Sequence, residues 1–151
     1  MGFSEAFAMK RRKRWLLLLI AIVLMLGLLT AVAVFVPWWQ ANQRLCDYHW
    51  WMTASREEKV RTAHQVLSFP WGNHHDAFIF LIEDGGPESV PILINALRWQ
   101  PNSSTTKGIE CTKDHCLEAL KRITGHDAGE DYADWVAWWE SVGRRLPAKE
   151  E

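Results

Sequence analysis

The sequence lacks the short motifs that usually accompany enzymatic chemistry. It contains no Ser-His-Asp nucleophile elbow, no glycine-rich phosphate loop, no His-Glu-x-x-His pair and no Cys-His nucleophile pattern. It also has no run of alternating apolar and polar residues long enough to predict a β-strand. We therefore expect an all-α protein that is not an enzyme, with no catalytic residue, no metal ligand and no cofactor.

A large net charge is also missing, because 17 basic and 18 acidic side chains nearly cancel. The two signs are nevertheless separated along the chain. Residues 1–39 carry five basic groups and one acid, whereas residues 40–151 carry twelve basic and seventeen acidic groups. A nucleic-acid-binding domain needs positive charge on its folded surface. Because the larger part of this chain is acidic, the charge pattern argues against nucleic acid as a partner.

One long apolar run is present near the N-terminus. Residues 16–36 carry no charge, and as an α-helix they would span roughly 32 Å, enough for a bilayer core of about 30 Å. Trp15 precedes the run, and Trp38 and Trp39 follow it, where tryptophan prefers the membrane interface. Because basic residues 10–14 lie before the run, the positive-inside rule places the N-terminus in the cytoplasm. We predict a basic cytoplasmic tail (residues 1–14) and a single transmembrane helix (residues 15–39) in the lipid bilayer.

A cleaved signal peptide is the alternative interpretation of the same run. Its support is the basic start and the Ala-Val-Ala sequence of residues 31–33, which fits a cleavage site. However, the apolar region of a signal peptide usually has about 7–15 residues. This run is longer, and residues 34–36 are still apolar beyond the candidate site. We therefore favour the uncleaved anchor.

The region after the run is expected to form short helices. Residues 40–54 contain no strong helix breaker and are expected to be a juxtamembrane helix or linker. Ser55 and Glu58 form a capping box that starts a helix ending near residue 68. Thr112 is expected to cap a later helix, which Gly125 ends. The expected helices are residues 55–68, 74–83, 87–99, 112–124 and a last one capped by Asp131.

Two of these helices carry apolar residues at the i, i+3, i+4, i+7 spacing of a buried face. In the helix of residues 87–99 they are Val90, Leu93, Ile94 and Leu97. In the last helix they are Trp135, Trp138, Trp139 and Val142. This face therefore holds three of the ten tryptophans of the chain. Large aromatic side chains could supply much of the buried area of a small domain.

Three segments of this region resemble a known family. Residues 84–93 (Asp-Gly-Gly-Pro-Glu-Ser-Val-Pro-Ile-Leu) resemble the opening of the second helix of a HEAT repeat. Residues 116–125 (Cys-Leu-Glu-Ala-Leu-Lys-Arg-Ile-Thr-Gly) resemble the next unit. The ending is similar to the C-terminus of many bacterial HEAT-like domain proteins: Ile-Thr-Gly-His-Asp at residues 123–127, followed by Gly129, Asp131, Trp135, Trp138 and Trp139. The resemblance covers about residues 56–143.

This resemblance implies a HEAT-like α-solenoid of about two helical hairpins with a tryptophan-rich capping helix. The domain would cover residues 55–145 and be followed by a tail (residues 146–151). It also implies a protein-binding role and, with the anchor, a place in the bacterial inner (cytoplasmic) membrane with the domain in the periplasm. About three repeats are usually needed for stability. A chain this short would therefore depend on its aromatic cap, a disulfide, the membrane or a partner.

The three cysteines allow several interpretations. If Thr112 is the helix cap, Cys111 and Cys116 occupy the two positions that meet in a hydrophobic staple, which predicts a disulfide between them in an oxidising compartment. A zinc site of Cys111, His115, Cys116 and His126 is the weaker alternative, because the spacing matches zinc signatures poorly. Cys46 is left over. It is either a free thiol or an intermolecular disulfide that joins two copies in a homodimer.

Two polar clusters resemble an active site or an ion site: His74-His75-Asp76 and the acidic residues 127–131. The first is more typical of a loop or a capping group, and the second is explained by the dipole of the last helix. Trp50, Trp51 and Trp71 have no helical spacing that explains them, and tryptophan is enriched at protein–protein hot spots. We take these three as the interaction candidates. The favoured hypothesis is a membrane-anchored adaptor or accessory subunit. The alternative is a small-molecule, metal or tetrapyrrole-binding or lyase-like HEAT module.

Overall fold

The computed structural model describes the backbone of residues 3–100 and 110–141 and the side chains of residues 15–100 and 112–141. Every regular element in these residues is helical and none is a strand, so the all-α class is confirmed. In chain order the helices are α1 Phe3–Leu45, α2 Tyr48–Thr53, α3 Arg56–Leu67, α4 His74–Asp84, α5 Val90–Leu97, α6 Glu110–Thr124 and α7 Tyr132–Ser141. A short 3₁₀ turn, Pro87–Ser89, precedes α5.

The chain divides into two units, and the first, Met1–Pro37, holds the apolar part of α1. Its large apolar side chains from Trp15 to Val36 are all exposed, by 39% to 67%. Pro37 lies inside the helix and does not end it. The prediction of one helix near the N-terminus that is long and apolar enough to span a membrane is therefore confirmed, whereas its role as an uncleaved anchor stays a prediction.

The second unit, Trp38–Glu151, contains the hydrophobic core. Within it α3 packs on α4, α4 on α6, and α5 on both α6 and α7. The predicted apolar face of α5 is confirmed, because its four residues are at most 5% exposed: Val90, Leu93, Ile94 and Leu97. The last turns of α1 also belong to this core. Trp38, Ala41 and Leu45 are buried at the i, i+3, i+7 spacing of one helix face.

Two local signals for helix ends are confirmed. The Ser55 hydroxyl accepts from the Glu58 amide at 3.3 Å, and the Glu58 carboxylate accepts from the Ser55 amide at 3.1 Å, which is the predicted capping box. The Ser55 amide, together with the Ser55 hydroxyl, which donates to the same carboxylate at 3.0 Å, holds the pKa of Glu58 below its ordinary value. Gly125 directly follows α6 with φ +66°, the left-handed conformation expected of a C-terminal glycine.

The boundaries of other helices differ from expectation. α6 begins at Glu110, so Thr112 lies inside the helix and does not cap it. The segment expected over residues 87–99 divides into the 3₁₀ turn and α5. Residues 40–54 also contain a break, because α1 ends at Leu45 and α2 begins after Asp47. The Asp47 carboxylate accepts from the amides of His49 and Trp50 at 2.9 and 3.3 Å, and this new cap starts the second helix.

The tryptophan face of α7 is buried only in part. Trp135 is completely buried, whereas Trp138 and Trp139 are half-buried and Val142 lies outside the described residues. Among the described helices α7 packs mainly against α5, so one edge of its apolar face stays partly open. The His126 ring covers part of that edge by stacking on Trp138, with a centroid distance of 4.7 Å and an interplanar angle of 9°.

Candidate functional site

The three interaction candidates belong to two separate aromatic groups. Trp50 and Trp51 both make edge contacts with the buried Phe80 of α4, with ring centroids 6.1 and 6.0 Å apart. Trp71 instead contacts Trp38 and Phe69, with centroid distances of 6.4 and 5.6 Å. Trp50 and Trp51 are half-buried and Trp71 is 55% exposed. No helical spacing therefore accounts for these three rings. Packing on other elements partly covers Trp50 and Trp51 but leaves Trp71 exposed.

A cleft of about 270 Å³ lies beside the first group, between the end of α1, α2 and α4. Its lining residues are Leu45, Cys46, Tyr48, Trp51, Asp76, Ile79 and Phe80. Tyr48 makes an edge contact with Trp51 at 5.8 Å, so the aromatic rings continue from the cleft wall onto the surface. We call this feature the α2 cleft.

The exposed rim of the α2 cleft is apolar. Tyr48 is 70% exposed, and Met52, which lies one helical turn further along α2, is 63% exposed. Because residues four apart share a helix face, the two side chains extend the same surface. Our sequence reasoning missed both residues. The signal that could have found them is Asp47, because a capping aspartate at that position starts a helix that places Tyr48, Trp51 and Met52 on one face.

The polar side of the α2 cleft is a set of structural hydrogen bonds. Asn73 caps α4, and its side chain donates to Asp76 Oδ2 at 2.6 Å and to Cys46 Sγ at 3.4 Å. The Cys46 thiol donates to the carbonyl of Asn42 at 3.6 Å. His75 Nδ1 lies 3.0 Å from Asp76 Oδ1. Asn73 therefore caps α4 with the help of Asp76, and His74 and His75 are the first two residues of the helix and do not cap it.

A wider depression of about 530 Å³ lies on α6 and is mostly charged. Its lining residues are Asp114, Leu117, Glu118, Lys121, Arg122 and Glu130. The cores of protein interfaces are depleted of charged residues and enriched in aromatic residues and methionine. The α2 cleft therefore suits the centre of an interface better than the α6 depression does.

The predicted disulfide lies at the edge of the described region. Cys116 is a completely buried free thiol that donates to the Leu93 carbonyl at 3.4 Å, and burial raises its pKa. The side chain of Cys111 lies outside the described residues, so the pairing stays a prediction. Its geometric basis has changed, because both cysteines lie inside α6 and residues five apart in a helix are about 140° apart around its axis. A disulfide would therefore require the first turn of α6 to open.

The alternative zinc ligands have other partners where they are described. His126 stacks on Trp138, the Cys116 thiol meets the Leu93 carbonyl, and the His115 ring contacts the ring of His75 at 5.0 Å. Among the described residues no group of three or more His, Cys, Asp or Glu side chains is arranged to hold a metal ion.

Two histidines of the domain have lowered pKa values, and of these His74 is buried and His64 is half-buried. Burial lowers the pKa of His64, whose Nε2 lies 2.8 Å from the buried Ser89 hydroxyl. Burial also lowers the pKa of His74, although its hydrogen bond to the Phe69 carbonyl at 2.8 Å opposes this effect. Because a carbonyl can only accept, His74 Nε2 carries the proton, and Nδ1 accepts from the Gln100 amide at 3.1 Å. Both histidines therefore join elements of the fold as neutral rings.

No family model matches the chain, and neither a curated protein nor a solved structure matches it. The HEAT-like resemblance therefore stays a prediction that rests on the residues quoted above.

Proposed function

We propose that this chain is a non-enzymatic protein-interaction module held in a membrane by α1, an adaptor or accessory subunit of a membrane complex. Residues 15–39 cross the bacterial cytoplasmic membrane once, with the N-terminus in the cytoplasm. The helical domain, which we take to be HEAT-like, lies on the extracytoplasmic side. The observation that supports this function best is the α2 cleft, whose apolar rim is exposed at Tyr48 and Met52.

The composition of the α2 cleft favours a protein as its occupant. Hot spots of protein interfaces are enriched in tryptophan and tyrosine that pack into desolvated pockets. Tyr48 and Trp51 present these side chains beside the buried Phe80, which gives the rim a rigid floor. A rigid apolar floor loses little conformational entropy when a partner binds.

The volume of the α2 cleft argues against a large ligand, such as a tetrapyrrole, in that cleft. Sites for small molecules and cofactors usually enclose about 300–1,000 Å³. The α2 cleft, at about 270 Å³, lies below that range and is open at one side. Its size fits one or two side chains of a partner protein better than a tetrapyrrole.

Photocrosslinking at Tyr48 tests the proposal in native membranes. Replacing Tyr48 with the photoreactive residue p-benzoylphenylalanine should give a discrete crosslinked product, because 70% of this side chain is exposed at the rim. The matched control is Tyr132, the other tyrosine of the chain, which is 39% exposed on α7. Mass spectrometry of the product identifies the partner. A second copy of this chain as the product would support the alternative in which Cys46 joins two copies in a homodimer.

The same interaction should depend on the rim side chains. Tyr48→Ala should weaken binding to the crosslinked partner by about 2 kcal/mol, or roughly thirtyfold, if Tyr48 is a hot spot. Tyr132→Ala should leave binding unchanged. Identical crosslinked products at positions 48 and 132, or binding that survives Tyr48→Ala, would count against the α2 cleft as the interaction site.

Membrane orientation has a separate test at Cys46. The Cys46 thiol is exposed and directly follows α1. In a variant with Cys111→Ser, a membrane-impermeant maleimide added outside intact cells with a permeabilised outer membrane should label the protein through Cys46. Cys46→Ser should abolish that labelling. Labelling that appears only after the cytoplasmic membrane is broken would reverse the proposed orientation.

A further inference from the structure

The second aromatic group is too exposed to be explained by the core alone. Trp38 is 8% exposed, but its neighbour Trp71 is 55% exposed and Phe69 is half-buried. The three rings contact one another with centroid distances of 5.6 to 6.4 Å. We call these three residues the Trp38 group. Its outer face is an indole that the described domain leaves largely uncovered.

The loop that carries Trp71 is held firmly against the segment after Pro37. The Asn73 amide donates to Asn42 Oδ1 at 2.7 Å, and His74 donates to the Phe69 carbonyl at 2.8 Å. Gly72 has φ +126°, and a Cβ atom there would lie 3.0 Å from Asn42 Oδ1 and 3.1 Å from the Trp38 ring. Only glycine fits this close approach without strain. The position of Trp71 is therefore fixed relative to Trp38.

Trp38 marks the point at which the apolar run ends in the sequence. It directly follows Pro37, and its neighbour Trp39 is 51% exposed. If residues 15–39 span a bilayer, Trp38 lies at the membrane interface, and the contact between the two rings brings Trp71 to the same level. Indole rings prefer this region because they combine an apolar body with a polar N–H group.

The charge pattern around the Trp38 group is compatible with contact with lipid. Residues 15–43 and residues 62–75 contain no Asp, Glu, Lys or Arg. These two segments supply all three rings of the group. Removing a charged side chain from water is costly. Contact between this loop and lipid headgroups would not require it, because the loop carries no Lys, Arg, Asp or Glu.

We propose that the loop of Phe69, Pro70 and Trp71 rests in the headgroup region of the leaflet from which α1 emerges. The domain then contacts the bilayer at a second point, and α1 is not its only attachment. This inference rests on the proposed membrane insertion. It assigns Trp71 to lipid, whereas the α2 cleft remains the surface for a protein partner.

Environment-sensitive labels in liposomes test the assignment. The full chain carries Cys46→Ser and Cys111→Ser, and Trp71→Cys provides the cysteine to be labelled with the fluorophore NBD. The labelled protein is then reconstituted into vesicles of phosphatidylcholine and phosphatidylglycerol. Its emission should shift to the blue, and lipids with a nitroxide near the headgroup should quench it several-fold more than the same label at Met52→Cys. Met52 is the matched control because it is similarly exposed, at 63%. Pro70→Cys is a second reporter that leaves all three rings in place.

A label at Leu26→Cys separates the two proposals. Leu26 lies in the middle of the apolar run, and nitroxides deep in the acyl chains should quench it if α1 is inserted. Quenching at position 26 without quenching at positions 70 and 71 would overturn the lipid contact while leaving the anchor intact. Absence of quenching at position 26 would overturn both. A blue shift at position 71 without quenching by lipid would mean that a second copy of the chain covers the loop, which also overturns the assignment.

Discussion

Replacement of Trp135 probes how far the fold depends on the last described helix, α7. Trp135 is the largest of the completely buried side chains in the described residues. Its indole Nε1 donates to the Gly129 carbonyl at 2.9 Å, and its ring makes edge contacts with His126 and Trp138. One side chain therefore combines an apolar contribution to the core with a hydrogen bond to the loop before α7.

The two contributions can be separated by substitution. Trp135→Ala should lower the free energy of unfolding by about 3–5 kcal/mol, because it leaves a cavity the size of an indole. Trp135→Phe keeps most of the ring and removes the donor. Gly129 is exposed, so water can replace the lost donor, and the hydrogen-bond part of the loss should be only about 0.5–1.5 kcal/mol. Trp138→Ala is the control, with a loss below about 2 kcal/mol because its ring is half-exposed.

Urea unfolding of the detergent-solubilised full chain measures these differences through helical circular dichroism. The comparison of midpoints at constant slope gives the change in free energy. The expected order of loss is Trp135→Ala, then Trp135→Phe and Trp138→Ala. If Trp135→Ala cost no more than Trp138→Ala, the conclusion that α7 closes the core through Trp135 would be refuted.

Three further predictions follow from buried or strained positions. Because burial lowers the pKa of His64 and His74 below the ordinary value of 6.5, the unfolded chain binds more protons than the folded chain below that pH. Thermal unfolding should therefore show stability that is constant above about pH 7 and decreases as the pH falls below 6.5. The decrease should be at most about 1.4 kcal/mol per pH unit per histidine. The double variant His64→Gln, His74→Gln should show a smaller decrease. Gly72→Ala should lower the free energy of unfolding in urea by about 1–3 kcal/mol. This loss should exceed that of Gly125→Ala, because Gly125 has open space around it. Equal losses would mean that close packing at Gly72 plays no part. Cys116 should resist thiol reagents in the folded protein and react after denaturation, and rapid reaction in the native state would contradict its burial.

The parts of the fold that could be predicted from the sequence depend on residues close together in the chain. The capping box needs only Ser55 and Glu58, three positions apart, and Gly125 needs only the end of its own helix. The apolar face of α5 is likewise a property of one helix and its spacing. Such features form whenever the helix forms, so the sequence predicts them without knowledge of the rest of the fold.

The parts of the candidate site that could not be predicted depend on contacts between distant segments. Trp71 meets Trp38 across thirty-three positions, and Trp51 meets Phe80 across twenty-nine, so no local spacing indicates either contact. The pairing of Cys111 with Cys116 was inferred from a helix start at Thr112. That geometric basis no longer holds because α6 begins at Glu110, two residues before Thr112.

The last turns of α1, after Pro37, contribute to the Trp38 group and to the α2 cleft. Hydropathy alone would divide the chain at Val36 and treat the next residues as a linker. However, Ala41 and Leu45 are core residues, and the ring of Trp38 contacts the ring of Trp71. Leu45 also lines the α2 cleft. A protein cut after residue 45 would therefore lose part of its core, the support of the Trp71 loop and one wall of the cleft. For this reason the contact with lipid and the contact with a protein partner are better tested in the full chain than in a domain separated from its helix.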